Sequence, residues 1–206
     1  MTDLSFGSEG TTDLNKATKK NGAKNADLHK IPFQIHSPME CWSPLWIGID
    51  PGLTGAVGGV VQEGLGVSVE DLPVWSDGKK KFLDVLSLRN VLSRFCTGDK
   101  SRVFVVLEKS QVMPRDGTVG AFRYGEVYGT IKTLLVLEGY RWAEIPAASW
   151  RPKIVGKGDK DASRILAARL FPTLSTFLAR KKDHGRAEAL LLAEYGRRFF
   201  GGRVMP

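Results

Sequence analysis

Apolar and polar positions along this chain switch between two periods. Leu45–Ile49 is a short continuous apolar run that stops at Asp50-Pro51-Gly52, which predicts a strand followed by a tight turn. β-type residues resume over Ala56–Val61, and 66–72 supplies a third strand, so the three read as an antiparallel meander. Phe82, Val85, Leu86, Leu88, Val91, Leu92 and Phe95 recur at helical spacing. Residues 103–107 form another unbroken apolar run, which suits a strand buried on both faces, and it ends at Glu108. A loop containing Pro114-Arg115-Asp116-Gly117 follows. Helical spacing over 122–137, a strand over 141–145, and helices over 161–170 and 186–199 complete the pattern. The order strands, helix, strand, helix, strand, helices predicts an α/β domain built on a mixed sheet.

The pattern is missing from residues 1–43. Thr, Asn, Lys, Gly and Ser dominate there, and too few apolar residues recur to bury a core. The segment is expected to be a disordered tail or a transit-peptide remnant. It has no Arg, carries Asp3, Glu9, Asp13 and Asp27, and lacks a signal-peptide core. Residues 44–206 are left as the folded domain. Apolar runs such as 134–137 are far too short to span a bilayer, so no membrane partner is expected. Cys41 and Cys96 form no Cys-x-x-Cys pair, and His29, His36 and His184 are scattered, which argues against a disulfide scaffold and a zinc site.

Charge narrows the partner. The formal net charge is +8, and the 14 basic and 6 acidic residues from Arg141 onward account for all of it. One-sided basicity of this kind is the footprint of a polyanion such as nucleic acid.

Two acidic residues stand at the ends of apolar strands, Asp50 and Glu108. Sites in α/β sheets form at the carboxyl ends of strands. Two half-desolvated carboxylates there repel unless a cation lies between them, and Mg²⁺ suits an all-oxygen donor set. Each acid read alone also fits a turn or a helix cap. Asp183 precedes the last helix and suits its N-cap. Glu188 follows among Ala187, Ala189 and Leu190, whose small or apolar side chains let the helix press on a sheet. Gly52, Gly55, Gly58 and Gly59 form a Gly-rich turn. It is neither a P-loop nor a dinucleotide fingerprint, and a β-hairpin explains it equally well.

The segment Ile47-Gly48-Ile49-Asp50-Pro51-Gly52-Leu53-Thr54-Gly55-Ala56 resembles the opening strand and turn of RuvC-type Holliday junction resolvases. Val106-Leu107-Glu108 resembles their second acidic motif. Pro114-Arg115-Asp116-Gly117 and the run from Leu170-Phe171-Pro172 through Lys181-Lys182-Asp183-His184-Gly185-Arg186-Ala187-Glu188-Ala189 resemble the plant chloroplast branch of that group. The resemblance covers about 46–201. It departs from the bacterial enzymes in the last helix, where Gly185-Arg186-Ala187-Glu188 stands in place of an Asp-Ala-Ala-Asp-like run.

That resemblance implies a ribonuclease-H-like fold, a homodimer, and metal-dependent cutting of four-way DNA junctions in the chloroplast. The acidic quartet would fall on Asp50, Glu108, Asp183 and Glu188, holding two Mg²⁺ or Mn²⁺ ions per site. Two such ions serve phosphodiester hydrolysis by activating water and stabilising the leaving oxygen. Asp50, on the central strand, would bridge them. Lys160 would stand near the scissile phosphate. Lys157, Arg164, Lys181, Lys182 and Arg186 would hold the DNA backbone, and Arg115, Asp116 and Gly117 would read bases at the junction centre. Gly125 and Gly129 on the 122–137 helix would let a second subunit pack closely. A non-catalytic junction-binding protein of the same fold is the alternative.

Overall fold

The computed structural model describes residues 44–62, 66–96, 98–109, 117–156 and 160–201, with Lys160 as backbone alone. The expected tail at 1–43 lies outside them, as do Arg115, Asp116 and Lys157. Strands β1 (Leu45–Ile49), β2 (Ala56–Val61) and β3 (Val67–Asp71) form the predicted meander. A second, two-stranded hairpin follows, β4 (Val74–Ser76) and β5 (Lys81–Leu83). Next come helix α1 (Val85–Phe95), strand β6 (Val103–Lys109), helix α2 (Gly117–Leu137) and strand β7 (Arg141–Pro146). Helices α3 (Ala147–Ile154), α4 (Lys160–Leu170) and α5 (His184–Phe200) close the described chain. Among the described residues, no helix is long and apolar enough to cross a membrane.

The main sheet has the order β3-β2-β1-β6-β7, with β1 antiparallel to β2 and parallel to β6, and β6 parallel to β7. An antiparallel meander whose first strand continues into parallel strands through helical crossovers is the ribonuclease-H-like arrangement expected above. Every residue of β1 is buried, because helices cover both faces. On one face Ile49, Leu107, Leu92 and Ile131 pack α1 and α2 onto the sheet. On the other, Trp46, Val106, Leu190 and Leu191 pack α5, with Trp150 and Leu174 beneath it. The near-complete burial of α5 from Gly185 to Gly196 makes it the central helix of that layer.

Several elements differ from the pattern reading. Phe82 lies in β5, not in α1. The helix starts only after Asp84, whose carboxylate accepts from the Ser87 N–H (3.0 Å) and so sets its N-terminus. Helix α2 begins five residues earlier than the spacing suggested. Gly58 and Gly59 belong to strand β2, so the Gly-rich run is the turn and second strand of a β-hairpin.

Candidate functional site

The carboxyl ends of three parallel strands, β1, β6 and β7, lie side by side. The β1–β6 register pairs Gly48 with Val106 and Ile49 with Leu107, so the next residues, Asp50 and Glu108, are neighbours across the ladder. Alternation puts both on one face. Gly48 faces α5, since a Cβ built on it would lie 2.1 Å from the Ala189 carbonyl oxygen. Val106 also faces α5, with a methyl 2.8 Å from where a Cβ on Gly196 would sit. Two residues further along each strand, Asp50 and Glu108 share that face at the sheet's edge.

Helix α5 enters the site at its N-terminal end. A Cβ on Gly185 would stand 3.2 Å from Asp50 Oδ2 and 2.7 Å from the Thr54 carbonyl oxygen. Glycine therefore lets the first turn of α5 touch the turn that carries Asp50. The Asp50 carboxylate also accepts from the Gly52 N–H at 3.3 Å, which closes that turn. Glu188 lies one helical turn beyond Gly185 and so on the same side of α5. It is 8% exposed, and its carboxylate is ion-paired with Arg151 of α3, the helix that leaves the carboxyl end of β7.

Asp183 is buried at the start of α5 and bonded within its own turn. It occupies the N-cap position of α5 without bonding an α5 N–H. Its carboxylate instead accepts from the Arg180 backbone N–H (2.8 Å) and from the Arg180 guanidinium (2.9 Å from Nη2). Burial by itself would raise the Asp183 carboxyl. The Arg180 hydrogen bonds outweigh it and hold the group below the usual carboxylate range.

The expected cations divide in the same way. Arg186 grips Asp71 with both arms of its fork, 2.6 Å each, and also donates to the Phe177 carbonyl oxygen. Arg164 donates to Asp161 and to the carbonyl oxygens of Leu178 and Ala179. Both tie α4 and α5 to neighbouring segments. Lys181 and Lys182 are exposed on the turn before α5, and Lys160 opens α4. Gly117 begins α2 with a φ of +66°, a left-handed conformation suited to glycine.

The resemblance implies a divalent ion at these strand ends. Among the described residues no three Asp, Glu, His or Cys side chains form a ready cage. Mg²⁺ does not require one: it is commonly held by one or two carboxylates, keeping its waters for substrate phosphate. Asp50 and Glu108 fit that mode, and Glu188 lies one helical turn beyond Gly185, whose backbone meets Asp50. Asp183 and Glu188 each share their carboxylate with an arginine, Arg180 and Arg151 respectively. Sequence reasoning missed Arg151, Arg180 and Asp71. Arg151, six residues beyond the predicted strand 141–145, carries no local signal of its own.

No family model matches the chain. It is 35% identical over 91 residues to the chloroplastic Holliday junction resolvase MOC1 of Chlamydomonas reinhardtii, a stretch that is 43% of this chain and 10% of that relative's length. The structure of Thermus thermophilus RuvC superposes with a TM-score of 0.49 and 15% identity over 76% of this chain and 96% of that one. The same enzyme in complex with a Holliday junction substrate gives 0.46 and 11%, over 75% and 95%. The likeness that the acidic motifs carry, to RuvC-type resolvases near the plant chloroplast branch, is thus also found with a curated chloroplastic resolvase.

Proposed function

We propose that this chain is a structure-selective endonuclease that resolves four-way DNA junctions by paired, metal-dependent nicks, leaving 5′-phosphate and 3′-hydroxyl ends. The observation that carries the reading is the juxtaposition of Asp50 and Glu108 at adjacent parallel strand ends, with the Gly185 turn of α5 against the Asp50 carboxylate. The sequence similarity to a chloroplastic junction resolvase supports it, and so do the ordered motifs and the basic last third.

Asp50, Glu108 and Glu188 would hold Mg²⁺ or Mn²⁺, which when bound supplies an activated water and stabilises the leaving 3′-oxygen. Arg151 holds the Glu188 carboxylate in place, and Arg180 with Asp183 fixes the turn that delivers α5. Lys181 and Lys182 contact backbone phosphates, and Lys160 lies near the scissile one. Each chain carries one acidic site, so two opposed nicks require a homodimer. The reading extends to recombination and segregation of organelle DNA in the chloroplast, the compartment named for the Chlamydomonas relative.

A labelled four-way junction with and without Mg²⁺, beside a linear duplex, tests it. Paired metal-dependent cuts in the junction alone are expected. Junction binding without any cutting would establish the non-catalytic alternative.

A further inference from the structure

The β4–β5 hairpin stands outside the main sheet, and its composition is unusual for a structural hairpin. Trp75 and Phe82 are register partners whose rings stack at 4.5 Å between centroids, 21° apart. Trp75 is nevertheless 51% exposed. The hairpin turn is rigid: Asp77 Oδ1 accepts from the N–H groups of Lys79 (2.8 Å) and Lys80 (2.6 Å), and Gly78 takes a φ of +92°. Lys79, Lys80 and Lys81 are thereby presented beside the indole, all exposed.

Opposite lies the N-terminal half of α2, with Phe122 74% exposed and Arg123 beside it. Hairpin and helix enclose a groove of about 520 Å³, in the size range of small-ligand clefts. Lys80, Lys81 and Arg123 line it against a single carboxylate, Glu126. Leu53, from the turn that carries Asp50, also lines it, on the side of the sheet that α1 and α2 cover.

We propose that this groove holds an unpaired nucleotide of a DNA strand, its base stacked on Trp75 and its phosphates held by Lys80 and Lys81. Fixed aromatic rings flanked by cations are what single-stranded nucleic acid selects, because every base has a π-face and every linkage a charge. An apolar protein segment gives no use for the three cations. An intact duplex, with its bases stacked, gives none for the indole. This inference rests on the DNA-directed reading above and adds to it a site for unpaired bases away from the acidic cluster.

The full chain is titrated with a short single-stranded oligothymidylate, read by fluorescence anisotropy and tryptophan quenching. Trp75→Ala should weaken binding about tenfold, and Trp75→Phe should retain most of it. Lys80→Ala with Lys81→Ala should weaken binding and flatten its salt dependence. Trp75 is at the surface, so thermal melts of these variants should match wild type. Unchanged oligothymidylate affinity in Trp75→Ala overturns the proposal. So does a change in mass by light scattering, which would assign the groove to a second copy of the chain. Junction cleavage by wild type is scored separately. Cutting with no role for Trp75 sinks the groove alone, and stacking on Trp75 without cutting sinks the nuclease reading alone.

Discussion

Gly48 of β1 and Gly58 of β2 are partners in the antiparallel ladder, and α5 lies directly across both. A Cβ on Gly48 would fall 2.5 Å from the Ala193 backbone nitrogen, and one on Gly58 would fall 2.7 Å from that of Leu190. The helix therefore meets the sheet backbone to backbone, and this close seat carries Gly185 and Glu188 to the end of β1. Gly48→Ala should destabilise the protein by about 3 kcal/mol, since the obstruction is main chain and no rotamer relieves it. Gly120→Ala, where a Cβ meets nothing within 4 Å, should stabilise helix α2 by about 0.5–1 kcal/mol. Urea unfolding of both variants checks the contrast.

Asp50→Asn and Glu108→Gln preserve size and remove a ligand charge. Each should lower the cleavage rate by roughly two to three orders of magnitude. Junction affinity should hold or rise, because a carboxylate facing phosphates is lost. Single-turnover cleavage and a gel-shift titration without divalent metal separate the two effects. An Asp50→Asn protein that cuts at the wild-type rate would refute the site.

Asp183 gives a pH signature. Its carboxyl is depressed below the ordinary 3.8, so its contribution is fully present above that value and is lost as pH falls through the lower folded value. Asp183→Asn should cost about 2 kcal/mol at pH 7, the worth of hydrogen bonds to a charged group. The difference from wild type should shrink steadily below about pH 4. Denaturant melts at pH 7 and pH 3 measure it. A gap that is constant with pH would mean that Asp183 does not act as the carboxylate anchoring Arg180.

Gly125, Gly129 and Val136 form a stripe of α2 next to the groove face. A Cβ at either glycine meets nothing, and Val136 is 64% exposed. Gly129→Leu therefore fits the isolated subunit, so any loss reports on a partner. A monomer by light scattering is expected, with paired cutting abolished. Mixed wild-type and Asp50→Asn subunits should turn a supercoiled cruciform plasmid into nicked circles instead of linear DNA. A fully active dimeric Gly129→Leu protein would place the interface elsewhere.

Lys160 begins α4, the helix that Arg164 ties to the segment before α5. Lys160→Ala should slow cleavage more than it weakens junction binding, because charge there stabilises the reacting phosphate. Equal losses in rate and affinity would make it a backbone contact only.

Much of this protein was determined locally. Leu45–Ile49 and Ala56–Val61 were bounded correctly because continuous apolar residues ending in Asp-Pro-Gly leave few alternatives. Asp50 and Glu108 were legible because a carboxylate ending an apolar strand is a feature of a few adjacent residues. Phe82 was misplaced because helical spacing cannot tell a strand residue from a helical one just before a cap. The Asp84 bond to Ser87 decides that boundary. The Asp77-Gly78 turn is a hairpin signal, but the strands on either side pair over only three residues each, too few to show a period. Helix α3 is short and weakly amphipathic, with Pro152 inside it, so its pattern is faint.

What only the tertiary structure decided is which charges meet. Arg186 finds Asp71 across 115 positions, and Arg151 finds Glu188 across 37. Neither pairing is encoded in local spacing. Each arises because the glycine seat on β1 and β2 draws α5 down onto the sheet, bringing the ends of β3, β7 and α5 together. Burial then selects among the acids. Asp183, next to an arginine in its own turn, is taken up as an anchor. Asp50 and Glu108, far apart in sequence, are brought side by side at the ends of two parallel strands.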